Sequence, residues 1–273
     1  PYIDIKDSKT KIYYDKESNR LVYIGTKSND AYWDAHWENK EFEKKIKITK
    51  NRFISNNTNK YLVKGSKLLE GGCGRGQNVF LLQKLDYDCI GIDYAKSTVD
   101  KINKLVPEIN VKLGDVRKLE FSDASFDGYW SLGVIEHFYD GYDDIIQEMH
   151  RVLKEGGVLF LTVPSMSWLR KIKAKFSMYP SWTQSEDDIK RFYQFALDPV
   201  IVINDFKSLG FELLEVKPCD GFKGLKDEVK FLKPVMQYIY DSNNIFIKIL
   251  RKSVDTITKH FSSHMTLFIF KKI

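Results

Sequence analysis

A glycine cluster, Glu70-Gly71-Gly72-Cys73-Gly74-Arg75-Gly76, separates two apolar segments of different period. Before it, Lys67-Leu68-Leu69 reads as a short strand. After it, Val79, Phe80, Leu81, Leu82 and Leu85 have helical spacing within residues 77–85. Strand, glycine loop and helix in that order let a backbone approach a ligand closely at the carboxyl edge of a sheet. The alternation then continues. Residues 89–93 form an expected strand and 97–106 a helix with Val99, Ile102, Leu105 and Val106 inward and Pro107 beyond its end. Two more strands are expected at 110–115 and 126–132. Residues 142–153 carry the stripe Ile145, Ile146, Met149, Val152 and Leu153, Gly156-Gly157 closes that helix, and 158–163 is a fully apolar strand.

Parallel strands need crossover connections, so repeated β-α units imply a doubly wound, mainly parallel α/β sheet with helices on both faces. The expected organisation is an amino-terminal helical lid over 1–66 and a core over 67–163. A first cap insertion at 164–198 precedes a core helix and strand at 199–216. A second insertion fills 217–262, and a last core strand ends the chain at 263–273.

The loop's spacing discriminates among ligands. A dinucleotide fingerprint counted from Gly72 needs its third glycine at position 77, where Gln77 stands, and no Lys-Ser/Thr ending makes a phosphate-binding P-loop. A carboxylate at Glu70 opposes a pyrophosphate and suits an ammonium. Asp93 ends the second strand about 20 residues beyond the loop, where an acid accepts ribose hydroxyls. Asp115 follows Gly114 at the end of the third strand, placed for an adenine amine. Each acid alone is commonly a helix cap or a turn former. The three together describe a pocket for an adenosine with a cationic amino-acid tail and no phosphates.

That combination resembles the class I S-adenosylmethionine-dependent methyltransferases, and more narrowly their type 11 group. The matching residues are the loop 70–76, Gly91-Ile92-Asp93, Gly114-Asp115, and Phe126-Asp127 running on to Ser131-Leu132-Gly133-Val134-Ile135-Glu136-His137. Arg151 to Gly157 also looks like the family's helix exit into its fifth strand. The resemblance covers roughly 65–163 and implies a seven-stranded Rossmann-like sheet completed by strands at 211–216 and 265–270. It implies S-adenosylmethionine as cofactor and S-adenosylhomocysteine as product. Glu70, Gly71, Gly72 and Gly74 would hold the methionine moiety, Asp93 the ribose with Tyr94 against the purine, and Asp115 with Val116 the adenine, with Ser131 and Leu132 beside them. Gly71 departs from the aliphatic residue usual there. The family's metal-dependent members carry a further Glu at the position of Gly133, so no metal is expected.

His137, at the loop after the fourth strand, is the candidate general base, because an imidazole suits proton transfer near neutrality. The other reading is that Glu136-His137 opens a helix and orders the loop. Tyr32 and Trp33, with Tyr193, Gln194 and Phe195, are candidate acceptor contacts among aromatics that mostly serve core packing. The expected activity is O-methylation of a polar, sugar-like or phosphorylated small molecule. Small-molecule N-methylation, nucleic-acid methylation and non-catalytic cofactor binding remain alternatives.

Charge bears on the acceptor. Residues 1–163 hold 25 basic and 25 acidic side chains, and 164–273 hold 18 and 12, so the whole +6 lies in the later segment. Within it, residues 217–262 hold 9 basic and 5 acidic side chains. If that insertion overhangs the site, an anionic acceptor is favoured; no dense Lys/Arg tract marks a nucleic-acid surface. No apolar run approaches the roughly 18 to 20 residues of a membrane helix. The start Pro1-Tyr2-Ile3-Asp4-Ile5-Lys6-Asp7 has no apolar signal region, and three scattered cysteines form no framework, so a cytoplasmic protein with reduced thiols is expected.

Overall fold

The computed structural model describes residues 10–37, 42–48 and 50–273; the segment Pro1 to Asp7 lies outside them. In chain order the elements are β1 (Lys11–Asp15), β2 (Arg20–Ile24), α1 (Asp30–Trp37), α2 (Phe42–Ile46), α3 (Arg52–Tyr61), β3 (Lys67–Gly71), α4 (Gln77–Lys84), β4 (Asp88–Asp93), α5 (Lys96–Leu105) and β5 (Val111–Leu113). They continue with β6 (Phe126–Leu132), α6 (Asp143–Val152), β7 (Leu153–Pro164), α7 (Trp168–Lys175), α8 (Glu186–Lys190), β8 (Phe192–Ala196) and α9 (Pro199–Ser208). The chain ends with β9 (Phe211–Cys219), α10 (Gly221–Glu228), α11 (Lys233–Asp241), α12 (Ile245–Ser262) and β10 (Met265–Lys272).

Seven strands form the main sheet in the order β5-β4-β3-β6-β7-β10-β9. The first five are parallel, whereas β10 runs antiparallel to both β7 and β9. This is the doubly wound α/β sheet expected from the sequence. Alternation along the strands sends successive side chains to opposite faces. Leu68, Trp130, Phe160, Leu267 and Ile269 pack into one core layer, with Trp130 stacked on Phe160 at 4.3 Å between centroids. Leu69, Tyr129, Leu159, Leu161, Phe268 and Phe270 pack into the other.

One expectation needs correction. The amino-terminal segment is not wholly helical, because residues 11–24 form a β-hairpin before α1 begins. Tyr13, Tyr14, Val22 and Ile24 are β-branched or aromatic, and Asn19 takes a positive φ of 45° at the turn, so local propensity favours the hairpin. The first cap insertion likewise contains a strand: β8 pairs antiparallel with β2 and completes a second, three-stranded sheet. Leu21, Tyr23, Tyr193 and Ala196 bury its inner side with Met166. Amino-terminal segment and cap are thus one structure.

The second insertion is helical. Asn244 caps α12 by accepting from Phe246 and Ile247 N–H groups, and α12 packs on α10, α11 and α7 before returning the chain to β10. Among the described residues no helix is long and apolar enough to cross a membrane.

Candidate active site

The carboxyl ends of β3, β4, β5 and β6 meet the 27–29 loop, α1 and β8 around a cleft of about 880 Å³. Gly72, Asp93, Tyr94, Asp115, Val116 and Leu132 line its sheet side. Trp33, His137, Tyr193 and Gln194 line the opposite side. Glu70, Gly71, Gly74 and Ser131 lie behind the glycine wall and do not line the cleft.

Gly72 at that wall and Gly71 behind it are both sterically required. A Cβ at Gly71 would lie 2.0 Å from the Tyr129 hydroxyl, and Gly72 has a φ of 69° with Val134 2.6 Å from its Cβ position. The departure of Gly71 from the usual aliphatic residue therefore accommodates Tyr129. Behind the wall, Asn78 donates to Glu70 Oε1 at 2.8 Å, and Glu70 Oε2 is buried with no hydrogen-bond partner among the described residues. Ser131 Oγ, on the neighbouring strand, is buried in the same condition. Burial pushes the Glu70 carboxyl up to about 8, with Asp93 nearby adding to it against the Asn78 bond. A buried carboxyl with one oxygen unpartnered among the described residues is what the ammonium of an amino-acid tail would satisfy.

Asp93 closes β4 and organises the loop. Its Oδ2 accepts from Gly74 N–H at 2.7 Å and its Oδ1 from Ala95 N–H at 2.9 Å, which leaves further lone pairs toward the cleft. Burial raises its carboxyl to about 6 in spite of those bonds. Tyr94 is partly exposed, and its hydroxyl donates to Ser28 O at 3.1 Å, so it also ties down the 27–29 loop. Asp115 lies two residues beyond β5 and is gripped by Arg117, whose backbone N–H and Nε donate to Oδ1 at 2.9 and 3.0 Å. That hydrogen bonding holds its carboxyl below the usual range. Arg117 was not singled out from the sequence, since an i, i+2 pair after a short strand has no distinctive pattern.

The acceptor side is built around Tyr193. Its carbonyl oxygen accepts from Ser28 Oγ at 3.1 Å and meets His137 Nδ1 at 2.7 Å. A carbonyl can only accept, so Nδ1 carries the proton. No described residue bonds His137 Nε2, whose lone pair is left for the cleft. Burial drives His137 down to about 4, so the ring is neutral. Trp33 and Tyr193 hold it edge-on at 5.1 and 5.2 Å. Trp33 is positioned by α1, which docks on α5 where Thr98 donates through N and Oγ1 to Asp34 at 2.9 and 2.8 Å.

Two expected acceptor contacts lie elsewhere. Tyr32 packs against Tyr193 and His36 and does not line the cleft. Phe195 is buried in the core beneath the Arg20 guanidinium, 3.7 Å from its ring centroid, because β8 turns that side chain inward. Glu136, passed over in the sequence as part of a helix opening, lines the cleft with Oε2 buried and unpartnered among the described residues. Burial pushes it up to about 8. The insertion 217–262 contributes no lining residue, contrary to the expectation that it could overhang the site.

Residues 69–161 match the family model described as a methyltransferase domain. The chain is 32% identical over 185 residues to a protein of Encephalitozoon cuniculi assigned to the methyltransferases, covering 64% of this chain and 76% of that one. It is 34% identical over 101 residues to a probable S-adenosylmethionine-dependent methyltransferase of Mycolicibacterium smegmatis, spanning 37% of this chain and 39% of the relative. A 27-O-demethylrifamycin SV methyltransferase of Amycolatopsis mediterranei is 32% identical over 116 residues, 38% of this chain and 42% of that one. Among solved structures, an S-adenosylmethionine-dependent methyltransferase of Methanosarcina mazei superposes with a TM-score of 0.54 at 16% identity, covering 83% of this chain and 99% of that one, a likeness of fold.

Proposed function

The chain belongs to the class I S-adenosylmethionine-dependent methyltransferases, and from that premise we propose that it methylates a hydroxyl group of a polar, uncharged small molecule. The observation that carries the hydroxyl assignment is His137, which lines the cleft with its Nδ1 proton committed to Tyr193 O and with no described residue bonding Nε2. A neutral imidazole fixed in that tautomer accepts a hydrogen bond from an O–H and takes its proton as the carbon–oxygen bond forms. An amine acceptor would need no such base once neutral. The Amycolatopsis relative, whose name specifies an oxygen, is consistent with this reading.

The residues fit the cofactor. The unpartnered Glu70 Oε2, the Gly72 backbone and the Asp93 carboxylate are suited to an ammonium, an amino-acid backbone and a ribose respectively. When bound, the cofactor supplies an electrophilic methyl group on a sulfonium. Transfer is an in-line displacement, so the chain's main contribution is alignment, with nucleophile and methyl held near 3 to 3.5 Å. Trp33 and Tyr193 flank His137 in the cleft, and Gln194 offers an amide to fix a polar substituent.

Charge favours a sugar-like acceptor over a phosphorylated one. Asp140, Asp143 and Asp144 line the cleft, while of the lining cations Arg117 is already engaged by Asp115. A second anionic group would meet more acids than bases there. The test is incubation with methyl-labelled S-adenosylmethionine and a panel of neutral polyols and phenols, their phosphorylated counterparts and amines. Label on oxygen of a neutral acceptor, reduced in His137→Ala, supports the reading. Label on nitrogen, or only on phosphorylated acceptors, overturns it.

A further inference from the structure

The excess positive charge lies on a surface away from the cleft. Residues 229–262 contain six basic and two acidic side chains. In α12, residues 247, 251, 254, 255, 258, 259 and 262 turn toward the rest of the cap, fully or in part. Its only acid, Asp255, is among them and accepts from Phe222 N–H at 3.0 Å. The outward face carries Phe246, Ile249, Leu250, Ile257 and Phe261 at i, i+3, i+4 and longer helical spacings, and Phe246 and Ile257 are 77% and 78% exposed. Lys248 and Lys252, both exposed, follow one edge of that outward face. Phe231 and Tyr238, on the neighbouring turn and α11, are also open to solvent.

This pattern is costly for a surface that faces only water. Ile249, Leu250 and Phe261 are 57%, 52% and 45% exposed beside Phe246 and Ile257, a concentration of open apolar side chains of the kind that marks an interaction surface. A second copy docked face to face would bring the same lysine rims together. The complement of an apolar stripe with a purely cationic rim is an apolar layer beneath a negatively charged one. We propose that α12 docks the protein in plane on anionic lipid bilayers, with Phe246, Ile249 and Ile257 in the headgroup–acyl boundary and Lys248 and Lys252, at the edge of that face, reaching lipid phosphates. The helix does not span the bilayer; it lies on the surface. The proposal is independent of methyl transfer, because it uses no cleft residue.

The test is co-sedimentation of the full chain with phosphatidylcholine vesicles and with vesicles containing phosphatidylglycerol, with and without added salt. Binding to the anionic vesicles is expected, weakened by salt and absent or far weaker on neutral ones. Lys248→Glu with Lys252→Glu should lower the apparent affinity about fivefold per lysine. Phe246→Ser with Ile257→Ser should abolish binding without lowering the melting temperature, since both side chains are exposed. Failure to bind anionic vesicles, or unchanged binding by the Phe246→Ser, Ile257→Ser variant, overturns the proposal. So does a concentration-dependent dimer that the same variant dissolves, which would make a second copy the occupant.

Discussion

Glu70→Gln separates the cost of burying an acid from the benefit of presenting it to a cofactor. Burial raises the Glu70 carboxyl from 4.5 to about 8 in the ligand-free protein. A carboxyl raised on folding contributes stability that is complete below its unfolded value and is lost as pH rises through its folded value. At about 1.4 kcal/mol per unit, roughly 3 kcal/mol of that loss falls between about pH 5 and pH 7.5. Glutamine has the same shape and does not titrate. The stability difference between variant and wild type should therefore move in the variant's favour by about 3 kcal/mol across that interval, or about 6 to 12 °C in melting temperature. Thermal melts of the ligand-free proteins at the two pH values give this number directly. With S-adenosylhomocysteine the sign reverses: the variant loses a charge-assisted hydrogen bond of about 1.5 to 3 kcal/mol, so its affinity falls roughly 10- to 150-fold. Equal shifts at both pH values, or an affinity within about threefold of wild type, would refute both the buried-acid reading and the ammonium assignment.

His137→Ala should lower kcat about 100-fold or more while S-adenosylhomocysteine affinity, read by calorimetry, changes by less than about threefold. Because His137 is pushed down to about 4, kcat at saturating cofactor should be level from about pH 6 to pH 8, and a limb near pH 6.5 that vanishes in the variant would contradict the buried ring. Gly71→Ala should destabilise the protein by about 1 to 3 kcal/mol in denaturant melts, since its Cβ would meet the Tyr129 hydroxyl at 2.0 Å. Adding Tyr129→Phe should recover part of that loss, because it removes the clashing oxygen, which is also buried without a partner among the described residues. An additive effect of the two substitutions would show the contact is not the cause.

The core was legible because period and punctuation agreed there. Leu68 and Leu69 alternate between the two faces of the sheet, the glycines follow immediately, and the α6 stripe of Ile145, Ile146 and Met149 is buried as its spacing requires. Asp93 was equally readable, as the last residue of a strand one β-α unit beyond the loop. The acceptor side was not. Tyr193, Gln194 and Phe195 were singled out as aromatic and polar residues in a cap, but which of them reaches the cleft depends on β8 pairing with a hairpin some 170 residues earlier. No local pattern encodes that partner. Glu136 and Arg117 were missed for a related reason: burial and proximity to Asp115 are tertiary facts. Most of the +6 charge, a net +4, lies in the second insertion, yet its meaning changed once no residue of that insertion lined the cleft.

Calorimetric titration with S-adenosylhomocysteine, of the wild type beside Asp93→Ala, bears most directly on the central claim. The geometry calls for one site per chain in the wild type and an affinity at least about 30-fold weaker in the variant, the equivalent of about 2 kcal/mol of lost ribose and loop contacts. No heat with the wild type, or equal affinities in the two proteins, would contradict the assignment of this cleft to the cofactor.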